Sequence, residues 1–138
     1  MPVETPASRR AALIAVTMMS FASPFMLSGV NIGLPAIGTE FAASAVLLTW
    51  MSTAYSLATA VFLLPSGKLA DIHGRKRLFV TGVAVYTLAS VLCALAPSAP
   101  VLIAFRIIQG FGSAMILATS TAILTSIYPA NERGRVLG

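Results

Sequence analysis

Four long runs without a charged residue divide the chain: Ala11–Thr39, Phe41–Gly67, Leu78–Phe105 and Ile107–Asn131. Each exceeds the roughly 20 residues that carry a helix across a bilayer. The pattern predicts helices over about 12–37, 46–66, 77–96 and 100–127. The expected connections are short. Helix 1 passes to helix 2 through Gly38-Thr39-Glu40-Phe41. Helix 3 passes to helix 4 through Ala96-Pro97-Ser98-Ala99-Pro100, where two prolines punctuate the turn. Between helices 2 and 3 lies Gly67–Arg77, the densest cluster of charge away from the chain ends. Two glycines bracket a single acid and a basic triplet follows, the composition of a very short, tight turn at a membrane surface.

Composition supports the same reading. Of the 138 residues, 57% are hydrophobic and 9% charged, against about a quarter charged in a soluble domain. A water-soluble domain of this length cannot bury so much apolar surface. The expected fold class is therefore an all-α membrane protein, a transmembrane helix bundle. The first uncharged run is longer than the core of a secretory signal, about 7–15 residues, and reads as a retained helix.

The net charge of +5 does not point to nucleic acid, because the basic residues gather at segment boundaries rather than on one face. Arg9-Arg10, the Lys68–Arg77 turn and Arg133–Arg135 fall at alternate ends of the four spans, and the other two connections contain no Lys or Arg. The positive-inside rule then puts all three clusters, and both ends of this piece, in the cytoplasm of a cell-membrane protein. Residues 1–10 read as a disordered cytoplasmic lead and 129–138 as a cytoplasmic loop entering a further, missing helix. The chain is thus expected to be part of a longer protein; a four-helix protein with a short basic tail is the alternative.

Arg106 is the one charge inside an apolar segment. An intramembrane Arg costs roughly 2.5–3.5 kcal/mol on insertion scales and normally faces a cavity or a partner. Gln109, Gly110 and Ser113 share its helix face, which favours a cavity over snorkelling to the outer headgroups. Gly110 and Ala114 also form a small-xxx-small pair, a common packing feature. Helix 1 carries a polar stripe of Thr17, Ser20, Pro24, Ser28, Asn31 and Pro35, and helix 2 another of Thr49, Ser52, Ser56 and Thr59. Hydroxyls in membrane helices often bond their own backbone, so either stripe alone fits plain packing; together they point to a shared wet interior. Ser28, Asn31, Ser52, Tyr55 and Ser56 are the candidate lining residues. Trp50 fits an interfacial anchor or a cavity wall.

In the charged turn, Asp71 on its own fits a helix cap. The whole pattern fits a network that breaks and reforms. There Gly67 allows close helix approach, Gly74 supports the turn, and Arg75 reaches towards Glu132. His73 reads as a solvated loop residue, Met18 and Met19 as lipid-facing or packing residues, and Cys93 as a small packing residue. No paired carboxylates, metal-ligand cluster, nucleophile–base set or phosphate-cradling glycine loop is present. Neither an enzyme, a cofactor nor a metal site is expected.

These residues resemble a known family. Gly67, Asp71, Gly74, Arg75, Lys76 and Arg77 match the signature between helices 2 and 3 of the major facilitator superfamily; Ile72 departs from it, since many members carry a basic residue there. Arg106-Ile-Ile-Gln109-Gly110-Phe-Gly112-Ser-Ala114 resembles the helix 4 signature of its proton-coupled antiporters. Trp50-Met-Ser-Thr-Ala-Tyr55 running on to Pro65 and Gly67, and Asn31-Ile-Gly-Leu-Pro35, are similar to the fourteen-helix drug:proton antiporter branch. The resemblance implies the first four helices of an N-terminal half, one three-helix repeat plus the first helix of its inverted mate. It also implies proton-driven export of amphipathic small molecules or drugs by alternating access, with the remaining helices of the full-length transporter as partners. Asp71 and Arg75 would latch cytoplasmic helix ends, and Arg106 would serve proton coupling. The branch often places an acid five residues before the helix 1 Asn, where this chain has Met26. A small dimeric four-helix transporter and a non-transporting membrane scaffold are the other readings of the residues.

Overall fold

A computed structural model describes residues 6–127, and these form four helices: α1 (Pro6–Glu40), α2 (Ala45–His73), α3 (Arg75–Ala94) and α4 (Ala99–Ile127). The helices are joined by three tight connections, so neighbours in sequence run antiparallel. One end of the bundle carries the α2–α3 connection at Gly74. The opposite end carries the α1–α2 and α3–α4 connections and is called here the Glu40 end. Among the described residues, α2, α3 and α4 (from Ala99 to Leu124) are long and apolar enough to cross a membrane. In α1, 35 residues long, the apolar stretch recognised on the same basis is Arg10–Ala22.

Boundaries differ from the sequence expectation for physical reasons. Helix α2 does not stop at residue 66 but continues to His73. Lys68, Leu69 and Ala70 are good helix formers, and Ala70 is buried in a cluster with Leu78 and Met115. The connection is a single residue. Gly74 has φ 94° and ψ 129°, a backbone conformation that suits glycine because a Cβ is disfavoured there. Its N–H donates to the Ala70 carbonyl at 2.9 Å, and its own carbonyl accepts from Leu78 N at 3.1 Å. One glycine therefore ends α2 and opens α3.

Helix α1 begins at Pro6, so residues 6–10, expected as part of a disordered lead, are helical. Proline is well suited to a first helical position, where its missing N–H has no partner to lose. At the other end α1 extends through Glu40 and closes at Ala42, whose φ of 46° is left-handed. Ala43 N donates back to Gly38 O at 3.0 Å, the six-residue ring of a Schellman ending. Ser44 then caps α2, accepting from Leu47 N at 3.4 Å. The pairing of Arg75 with Glu132 and the loop over 129–138 lie outside the described residues.

Helix α4 is the centre of the bundle. It packs against α2 on one side and α3 on the other, whereas α1 rests more lightly on both α2 and α4. Glycines set the two main crossings. A Cβ on Gly110 would lie 2.5 Å from the Tyr55 carbonyl oxygen and 2.9 Å from Ala58 Cβ. A Cβ on Gly112 would lie 2.7 Å from Tyr86 N, and one on Gly82 would lie 2.8 Å from Met115 Cβ. The expected small-residue contact at Gly110 and Ala114 is thus the α2–α4 interface, with Ala114 fully buried. Gly67 is different: nothing among the described residues comes within 4 Å of a Cβ placed there. The close approach expected at Gly67 does not occur within these four helices. Phe62 and Phe111 meet edge to face at 4.9 Å further along the α2–α4 seam. Large apolar side chains such as Phe21, Phe25, Ile32, Leu64, Ile72 and Leu88 point outward, as lipid or further helices require.

Candidate functional site

The site begins with one buried charge. Arg106 is 2% exposed, so it does not snorkel to the headgroups. It lies about 10 Å into α4 from the Glu40 end, at 1.5 Å per residue from Ala99. Its Nε donates to the Met51 carbonyl of α2 at 3.2 Å. Its Nη1 donates to Gln109 Oε1 at 2.6 Å, across the three-residue spacing that puts both on one face. The guanidinium carbon lies 4.8 Å from the centroid of the Tyr55 ring, a cation–π distance. Nη2 is buried without a hydrogen-bond acceptor among the described residues.

The partners of Arg106 are themselves held. Gln109 Nε2 donates to Ser90 Oγ on α3 at 2.7 Å, and Ser90 donates to the Tyr86 carbonyl at 2.8 Å. Tyr55 donates its hydroxyl to Ser113 Oγ at 2.9 Å. A polar chain therefore runs from α2 through Arg106 and Gln109 of α4 to Ser90 of α3. Such a network rigidifies a low-dielectric interior because each member fixes the next.

Arg106 and Gln109 line a cavity of about 360 Å³ at the Glu40 end of the bundle. Glu40, Met51, Ser90 and Cys93 also border it, and the remaining wall is mostly apolar. Glu40 is exposed and Cys93 half-buried. Cys93 also packs beside Met51, Ala99 and Leu102, so the expected packing residue is at the same time a cavity residue. Gly110, expected with Arg106 and Gln109, faces α2 instead.

The hydroxyl stripes sort differently. Ser52 Oγ donates to Asn31 Oδ1 at 2.7 Å, a polar tie between α2 and α1. Ser56 donates to the Ser52 carbonyl at 3.2 Å. Thr49 donates to the Ala45 carbonyl at 3.0 Å. Thr59 bonds its own helix at Tyr55 O, 2.9 Å, and also α4 at Gly110 O, 3.2 Å. Ser28, Asn31, Ser52 and Ser56 lie outside the Arg106 cavity, and Tyr55 is sealed between α2 and α4. Trp50 is 47% exposed and borders no part of that cavity, as an outward anchor does.

At the other end, the charged segment is solvated. Asp71 sits in the last turn of α2 rather than at a helix start, so it caps nothing. Arg75 Nη2 lies 3.5 Å from Asp71 Oδ1, with both side chains well exposed. This is the one ion pair among the described residues. Arg75 Nη1 also donates to the Ala122 carbonyl at 3.3 Å, tying the start of α3 to the last turns of α4. A cation is favourable near that helix end because the backbone dipole is negative there. His73, Lys76 and Arg77 are exposed.

Sequence reasoning found Arg106, Gln109 and Ser113 but missed Ser90, Cys93, Glu40 and the Met51 carbonyl. Helix spacing had no means of finding them, because they reach the site from three other helices.

Apolar membrane-length helices around a buried, cross-linked charge define a multi-pass membrane protein. Comparison with known proteins gives the family. A model of the Major Facilitator Superfamily matches residues 16–138, and the chain belongs to that superfamily. It is 42% identical over 110 residues to the multidrug resistance protein Stp of Mycobacterium tuberculosis, covering 79% of this chain and 20% of that protein. It is 34% identical over 126 residues to the riboflavin transporter RibZ of Clostridioides difficile, covering 91% of this chain and 28% of that protein. It is 36% identical over 122 residues to the cephamycin export protein CmcT of Amycolatopsis lactamdurans, covering 88% of this chain and 25% of that protein. The chain thus spans between 20% and 28% of the length of these relatives.

Proposed function

We propose that this chain is the leading part of a transporter that exports amphipathic small molecules across the cell membrane, in exchange for protons, by alternating access. The observation that carries the reading is Arg106: a charge buried among three helices, on the wall of a cavity at the Glu40 end of the bundle. Relatives named for multidrug resistance and for cephamycin export support the direction. An arginine is a poor proton carrier. The part of Arg106 in coupling is to set the charge of the site rather than to carry the proton. The acid of this chain nearest the site is Glu40 on the cavity wall, and a carrier carboxylate within the membrane-spanning runs would come from the rest of the full-length protein.

In this reading the Glu40 end faces outward and the Gly74 end faces the cytoplasm, as the basic residues require. Asp71, Arg75 and the neighbouring Lys76 and Arg77 form a weak, reversible latch between helix ends, released when the bundle rocks. Gly67 supplies a smooth surface for a helix of the remaining protein. The test is dye accumulation in cells expressing the full-length protein. Expression lowers accumulation, and Arg106→Ala restores it to the level of cells lacking the protein. Unchanged efflux in that variant removes Arg106 from the mechanism. Cytoplasm-side labelling of His73→Cys tests the orientation; labelling from outside only overturns it.

A further inference from the structure

We propose that the Arg106 cavity receives the single carboxylate of an amphipathic anion or zwitterion, paired with the guanidinium. The inference deepens the transport reading and rests on it for the word substrate, but the binding event is separable from transport.

Arg106 is satisfied only in part. Its Nε and Nη1 donate to two neutral oxygens, of Met51 and Gln109. Its Nη2 is buried with no acceptor among the described residues. Neutral acceptors solvate a cation but leave its charge uncancelled, and a buried charge is normally paired. Glu40 is the one acid on the cavity wall. It is exposed, at the last residue of α1, and makes no ion pair with Arg106.

The guanidinium is also held in a fixed plane. Gln109 is anchored to Ser90 on α3, and the Tyr55 ring lies beside the guanidinium. A planar fork with donors to spare recognises a carboxylate in two-point fashion, which an ammonium does not. The rest of the cavity selects the body of the ligand. Its wall is largely apolar and its volume, about 360 Å³, is at the small end of ligand pockets. It suits a carboxylate head and a short hydrophobic segment. Glu40, exposed on the cavity wall, repels a second negative charge and tolerates a distant amine. A monoanion or zwitterion is therefore favoured over a dianion.

Cys93 provides the readout, because it lines the same cavity from α3. The experiment uses the full-length protein in membrane vesicles and a neutral maleimide, with alkylation of Cys93 followed by peptide mass spectrometry. Phenylbutyrate is compared with its methyl ester and with phenylbutylamine. The expected result is that phenylbutyrate slows alkylation by about tenfold or more, while the ester and amine do not. Arg106→Gln removes the protection. Gln109→Glu removes it too, by placing a carboxylate of the chain against the guanidinium; this near-isosteric change keeps the inference testable if Arg106→Gln does not fold. Equal protection by the ester overturns the proposal. So does protection that survives in either variant, or no protection by phenylbutyrate at all. Transport of a neutral dye by the same vesicles is scored separately. Dye transport without carboxylate protection rejects this inference and leaves the transport reading standing. Protection without any transport supports the site and rejects the transport reading.

Discussion

Arg106 donates to Gln109 at 2.6 Å, and this bond joins the buried cation of α4 to Ser90 on α3 through the far end of the same amide. One glutamine therefore accepts from the charge and donates to the neighbouring helix. Removing it breaks both ties. Gln109→Ala leaves Nη1 without this acceptor inside a low-dielectric site, and bonds to charged groups are worth about 1.5–3 kcal/mol. A loss of that size is expected in unfolding of the detergent-solubilised protein, with a smaller loss for Ser90→Ala. A double-mutant cycle between the two positions reports coupling; additive losses contradict the tie.

The α2–α4 seam depends on the absence of a side chain at Gly110. The Tyr55 carbonyl and the Ala58 methyl occupy the place where a Cβ would go. The obstacles are backbone and a short methyl, so neither moves aside without moving the helix. Gly110→Ala is expected to destabilise the bundle by about 1–3 kcal/mol, despite alanine's better helix propensity. A melting temperature equal to wild type contradicts the packing.

Ala42 holds a left-handed backbone at φ 46°, the position where helix endings prefer glycine. An L-residue in that conformation costs roughly 1–2 kcal/mol, part of which is offset by the greater freedom of glycine in the unfolded chain. Ala42→Gly is expected to stabilise the protein by up to about 1 kcal/mol without altering transport. Destabilisation indicates a different α1–α2 connection.

The Asp71–Arg75 pair is long and exposed, so its contribution to stability is on the order of 0–1 kcal/mol. Asp71→Asn is expected to leave thermal stability within about 1 kcal/mol of wild type while lowering transport severalfold. A large stability loss with normal transport assigns Asp71 to the scaffold and not to the switch.

The four helices were legible in the sequence because each uncharged run is long and bounded by charge or proline. The end of α2 was not, since charge and a glycine at Gly67 read as a turn. Only Gly74, with its positive φ, interrupts the backbone there. Arg106 and Gln109 stood out because a charge inside an apolar run has few explanations and helix spacing aligned its neighbours. Their real partners were hidden: the Met51 carbonyl is a backbone atom, and Ser90 is an ordinary serine that bonds its own helix and accepts from another. The hydroxyl stripes find partners that spacing does not show. Asn31 and Ser52 satisfy each other across α1 and α2, and Ser56 and Thr49 satisfy their own backbone. Spacing alone cannot separate a hydroxyl that bonds inward from one that faces a cavity.

Substrate-driven proton movement in liposomes reconstituted with the full-length protein tests the role of the buried arginine most directly. Adding a transported compound to wild-type vesicles should drive a measurable proton flux, and Arg106→Ala, inserted in equal amount, should lose it by at least about tenfold, equivalent to roughly 1.4 kcal/mol. Equal proton flux from the two proteins would contradict a transport role for the Arg106 site.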